Sequence, residues 1–74
     1  MECKIIGPWI DEQSLPSLKE AKEKLHKDAV ALLRGQGVTK IDLRWRYVGN
    51  NTWNYYADGI NGKTEFVGKV YSCY

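Results

Sequence analysis

The chain has little of what chemistry and membranes require: one histidine, two cysteines, two prolines, and no apolar run near the roughly 18 residues of a membrane span. Cys3 and Cys73 stand at opposite ends, and with His26 remote from both they cannot form a zinc site by themselves. Met1 to Ile6 is too short and too charged for a secretory signal, so the expected setting is cytoplasmic and the expected cysteines are reduced thiols. A Cys3–Cys73 bridge is the alternative. It requires that the first and last strands be neighbours, because Cα atoms more than about 7 Å apart cannot be bridged.

Nucleophiles and phosphate loops are equally scarce. No local motif sets a Ser or Cys beside His26, which reads as a surface or boundary residue. Gly35-Gln36-Gly37 lacks the Lys-Ser/Thr of a phosphate loop and reads as a helix stop. Asp11-Glu12, Asp58 and Glu65 lack metal-loop spacing. Asn50-Asn51-Thr52 matches the glycosylation acceptor pattern but comes without a secretory signal. Neither an enzyme nor a cofactor or metal is expected. Eleven basic against nine acidic residues leave a net charge of +2, too little for a polybasic anchor to nucleic acid or membrane. Seventy-four residues make a single small domain, 1–74, with little room for a buried pocket, so binding on an open surface suits it better.

Aromatics are what the chain does have, and they are unevenly placed. Trp45, Tyr47, Trp53, Tyr55, Tyr56, Phe66, Tyr71 and Tyr74 all lie in the second half, in runs that alternate apolar and polar side chains. The runs predict strands over Val38 to Val48, Thr52 to Ala57 and Lys63 to Tyr71, with reversals at Gly49-Asn50-Asn51 and at Asp58 to Gly62, where Asn61-Gly62 suits positive φ. Upstream, Glu2 to Ile6 is a strand stopped by Gly7-Pro8, Trp9-Ile10 closes one end of the core, and Asp11 to Ser14 is loop. A helix then starts at Ser14 with Pro16, or at Ser17 with Glu20 completing a capping box. Leu18, Ala21, Leu25, Ala29 and Leu32 form its apolar stripe, widened by Val30 and Leu33. Glu20–Lys24 and Glu23–Lys27 are favourable i,i+4 pairs on its wet side. The expected fold is α+β, β-α-β-β-β: a four-stranded, mostly antiparallel sheet with one helix on one face, entered by a right-handed β-α-β crossover.

Alternation then sorts the sheet. Ile41, Leu43, Trp45, Tyr47, Trp53, Tyr55, Ala57, Phe66 and Val70 are expected under the helix as core. The uncovered face is expected to carry Lys40, Asp42, Arg44, Arg46, Val48, Asn54, Tyr56, Asp58, Glu65, Val67, Lys69 and Tyr71. From it come the candidate partner-binding residues: Arg44, Arg46, Tyr56, Lys69, Tyr71, Asn54 and Lys40. Three readings compete for this face. It is a solvated face with charges paired across strands, a protein-binding surface rich in Arg and Tyr, or a single-strand nucleic-acid platform with stacking tyrosines. Lys19, Lys22, Lys24 and Lys27 on the helix offer a second, acidic-surface contact, and either sheet edge can accept a partner strand.

The order of elements, with Ser14-Leu15-Pro16-Ser17-Leu18-Lys19-Glu20-Ala21-Lys22 opening the helix before an aromatic-rich meander, resembles small phage-encoded anti-CRISPR proteins. That resemblance covers the order of elements and the helix start and assigns no functional residue. It implies a non-enzymatic phage or mobile-element inhibitor that docks on a host defence complex. The expected function is thus a binding module for a protein or nucleoprotein partner. The alternatives are a single-strand nucleic-acid binder using the open face and a small structural or self-associating protein.

Overall fold

The computed structural model describes residues 2–60 and 62–71. Its elements are β1 (Cys3–Gly7), β2 (Ile10–Leu15), α1 (Leu18–Gly35), β3 (Asp42–Gly49), β4 (Thr52–Ile60) and β5 (Lys63–Tyr71). The strands form one sheet in the order β2-β1-β5-β4-β3, every neighbouring pair antiparallel. The α+β class stands, but the sheet has five strands where the sequence predicts four. The extra one is Ile10–Leu15, expected as a closing segment and loop. Gly7 pairs with Ile10, so Pro8-Trp9 is the tip of a hairpin, and Ile10, Gln13 and Leu15 turn toward the core while Asp11, Glu12 and Ser14 stay in water. With one β-branched residue in six, that segment carries almost no strand signal of its own; pairing with β1 makes it one.

The extra strand relocates the crossover. The helix joins β2 at one sheet edge to β3 at the other, and alternation of direction makes those two strands parallel. β1 instead lies beside β5, with Lys4 opposite Tyr71 and Ile5 opposite Val70. First and last strands are therefore neighbours, and Cys3 is disulfide-bonded rather than a reduced thiol. Cys73, the other cysteine of the sequence, lies outside the described residues, as do Asn61 of the second reversal and Tyr74.

Helix α1 is capped by Ser17. Ser17 has extended backbone, its Oγ accepts the Glu20 amide at 3.2 Å, and the same Oγ donates to Glu20 Oε2 at 3.1 Å. Ser17, not Ser14, is thus the cap. The other end is a Schellman stop: Gly37 (φ 85°) donates to Arg34 O at 3.0 Å and Val38 to Leu33 O at 3.0 Å. Because Val38 is spent on the cap, β3 starts at Asp42 and leaves Lys40 in the preceding loop. Ala21, Leu25, Ala29 and Leu33 are buried, with Leu18 and Leu32 packed against them. The helix ion pair is Lys24–Asp28 at 3.1 Å, not the two glutamate pairs expected. No helix among the described residues is long and apolar enough to cross a membrane.

Two local breaks set the faces of the meander. Gly49 pairs with Thr52 around Asn50 and Asn51, both at φ 52°, the left-handed pair that a type I′ turn needs. Between β4 and β5 the register slips: Tyr55 faces Gly68 but Tyr56 faces Phe66, so Val67 is a bulge. Below the bulge every side chain of β5 changes sides. Phe66, expected in the core, joins the open face at 37 % exposure; Val67, expected outside, is buried; Glu65 pairs with Ala57 on the helix side.

Candidate interaction surface

Every side chain that the strand pairing sends away from the helix meets on one face. Three cross-strand rows organise it. Arg44, Tyr56 and Phe66 stand opposite one another across β3, β4 and β5; Arg46, Asn54, Lys69 and Ile6 form the next row; Tyr71 and Lys4 lie beyond. Six of the seven expected site residues are therefore brought together. Lys40 is not among them, since the helix cap holds the chain short of the sheet there. Phe66, Lys4 and Glu12 are members the sequence reading missed. Phe66 depends on the bulge, and Glu12 on the unrecognised strand.

The first row is internally tied. Arg44 Nε contacts Asp58 Oδ2 at 2.8 Å, the Arg44 guanidinium lies 5.5 Å over the Tyr56 ring, and Tyr56 meets Phe66 edge-on at 5.9 Å. Thr64 Oγ1 donates to Asp58 Oδ1 at 2.6 Å, and Asn54 Nδ2 donates to Tyr56 Oη at 3.1 Å. An ion pair this exposed contributes at most about 1 kcal/mol, so its main effect is to aim the guanidinium across the tyrosine. At the far corner Lys69 Nζ sits 4.9 Å from the Tyr71 ring, and the Tyr71 hydroxyl donates to Glu12. That bond to the carboxylate raises the Tyr71 phenol above its ordinary value, with smaller contributions from burial and from the charge of Glu12.

Charge is graded along the strands. Asp42 and Asp58 face each other at one end, while Arg46, Lys69 and Lys4 gather toward the other. Arg46 has no ion-pair partner among the described residues.

The helix side differs between its two halves. The helix lies over β5, β1 and β2 and reaches β3 and β4 through long side chains. Lys22 Nζ hangs 5.3 Å over Trp45 and 5.2 Å over Trp53. His26 Nδ1 lies 2.5 Å from Tyr55 Oη, and burial pushes that phenol above its ordinary value. Trp45 stacks on Tyr55 at 3.9 Å, and Trp53 meets Tyr47 at 4.9 Å. Tyr47, expected as core, is 55 % exposed because no helix lies above it. The lysines expected to form one basic helix surface are dispersed: Lys22 turns to the tryptophans, Lys24 pairs with Asp28, and Lys19 and Lys27 stay exposed. A groove of about 660 Å³ runs between the helix and the β1–β2 hairpin, lined by Trp9, Ile10, Lys24, Asp28 and Leu32 among others.

Comparison with protein families, curated proteins and solved structures returned no match.

Proposed function

We propose that this protein is a non-enzymatic binding module that engages a protein partner, free or within a nucleoprotein complex, through the open face of its sheet. The observation that carries the reading is the Arg44–Tyr56–Phe66 row with Arg46, Asn54 and Lys69 beside it. Tyr, Phe and Arg are the residue types enriched at interface hot spots, and here they sit on rigid strands, so little side-chain freedom is lost on docking. An inhibitor of a host defence complex is one form such a module takes. Four cations (Lys4, Arg44, Arg46, Lys69) against three carboxylates (Glu12, Asp42, Asp58) suit a partner of mixed charge.

Single-strand nucleic acid is the second reading, favoured by the basic end of the face, where Arg46 and Lys69 flank Asn54 and Lys4 stands beside Tyr71. The two readings part on salt: phosphate contacts weaken steeply as salt rises, so an absence of nucleic-acid retardation at low salt removes the second. The double reversal Arg44→Glu with Arg46→Glu tests the surface itself. Loss of the partner captured from the native host by the unmodified chain supports the reading, and unchanged capture moves the site elsewhere. The disulfide at Cys3 fits an oxidising compartment better than the reducing cytoplasm expected above, and alkylation of Cys3 in cells before lysis decides between them.

A further inference from the structure

The two edges of the sheet are unlike each other. β2 is six residues long, lies between Pro8 and Pro16, and meets β1 through an irregular register, all features that blunt an edge. β3 is eight residues long, contains no proline or lysine, and keeps regular register from Asp42 to Tyr47. It is the last strand in the sheet order, so its outer backbone edge faces no other strand among the described residues. Its helix-side residues are also the least covered of the sheet, with Trp45 half-buried and Tyr47 mostly exposed. A long, flat edge with apolar side chains is a template for another strand.

We infer that the β3 edge pairs with β3 of a second copy, antiparallel about a two-fold axis at Arg44, joining two sheets into one of ten strands. Two-fold symmetry makes each residue's partner the mirror position about the axis. An axis through a residue keeps like faces together, and that leaves a few centres to compare. Centred on Trp45, Arg44 would face Arg46 of the second copy twice. Centred on Arg46, the two Arg46 side chains would oppose each other with no carboxylate between. Centred on Leu43, Asp42 would face Arg44 of the second copy, but the strand overlap would shrink to Asp42 to Arg44 and Lys40 would approach Arg46. Centred on Arg44, Asp42 faces Arg46 of the second copy at both ends of the contact, and Leu43 faces Trp45 on the helix side. The central pair of Arg44 residues is already countered by Asp58 within each copy at 2.8 Å. The charge order Asp-Leu-Arg-Trp-Arg thus complements itself over its full length only with the axis at Arg44.

Joining there also accounts for the uncovered aromatics. Each helix stays over its own β5, β1 and β2, and the four central strands, spaced about 4.8 Å apart, floor a trough between two helices. Trp45, Trp53 and Tyr47 of both copies lie on that floor. The inference goes beyond the binding role proposed for the open face and does not depend on it.

Sedimentation equilibrium of the full chain across a wide concentration range tests it. The expected result is a reversible dimer; a monomer at every concentration up to millimolar overturns the inference. The register is tested by charge exchange. Asp42→Arg alone and Arg46→Asp alone are each expected to weaken the dimer about tenfold, and the double exchange restores it. Within one copy these residues lie four positions apart along a strand, about 13 Å, and face Asp58 and Asn54, so rescue reports pairing between copies. A dimer insensitive to the single variants, or not restored by the exchange, overturns the register. Should the charge variants fail to fold, Arg44→Cys gives a second measurement. At the axis the two Cα atoms stand about 4.5–5.5 Å apart, within disulfide reach, and a covalent dimer is expected on mild oxidation where its absence counts against the axis.

Discussion

The half of the sheet beneath the helix and the half beyond it follow the same alternating pattern and end in different states. Under the helix, Ile5, Val70 and Leu25 share one core with no exposure left. On β3 and β4, Trp45 and Trp53 are half-buried and Tyr47 is mostly exposed, although their strand positions are equally inward. One 18-residue helix about 10 Å wide cannot span five strands whose outer axes lie about 19 Å apart. Period-two alternation assigns a side, while burial depends on what lies above it. Large rings suit the uncovered half because they bury area against one another, as in the Trp45–Tyr55 and Tyr47–Trp53 contacts, and Lys22 spreads over two of them.

Substitutions that act on one half and not the other put numbers on this contrast. Leu25→Ala, at the centre of the covered half, is expected to cost about 2–5 kcal/mol in denaturant unfolding, since it opens a cavity where little can collapse. A loss below about 1 kcal/mol would mean that the two halves are equally loose. Gly7→Ala comes next. A methyl there would lie 2.6 Å from the Val67 carbonyl oxygen, so β1 must shift from the bulge, at a cost of about 1–3 kcal/mol in thermal unfolding.

Tyr55→Phe probes the boundary between the halves by removing the hydroxyl bonded to His26, with an expected cost of about 0.5–1.5 kcal/mol. It carries a pH signature as well. The Tyr55 phenol is raised above 10.0 in the folded chain, so the folded state holds its proton after the unfolded state has released it. That contribution is full below the unfolded value and is lost as pH rises through the folded one. Unfolding free energy should fall above about pH 10, and the part due to Tyr55 should vanish in the phenylalanine variant. The smallest effect belongs to Tyr47→Ser, within about 1 kcal/mol for a ring mostly in water, read by the same unfolding curves. A cost as large as that of Leu25→Ala would show that the uncovered half is core after all.

Much of the local structure was legible in the residue order. Ser17 with Glu20 marks the helix start, Gly37 its stop, and Asn50-Asn51 a hairpin turn, because each rests on bonds between residues a few positions apart. Six of the seven candidate site residues were legible for a similar reason: Arg44, Arg46, Asn54, Tyr56, Lys69 and Tyr71 lie where strand alternation meets no interruption. Phe66 and Val67 exchanged sides because a bulge forms only when β5 must satisfy β4 and β1 at once. Ile10–Leu15 escaped notice because its strand character is borrowed from β1.

The helix, its caps, the meander and the inward or outward sense of most strand residues follow from periodicity and short-range hydrogen bonding, and so are set by residue order alone. That β1 lies beside β5, where the first and last strands meet and Cys3 is disulfide-bonded, comes from long-range pairing. The tertiary structure also decided where the single helix rests, and hence that one half of the aromatic face is core and the other half surface. Those outcomes depend on pairings between residues far apart in the chain, where the gain from burial must exceed the entropy of closing long loops.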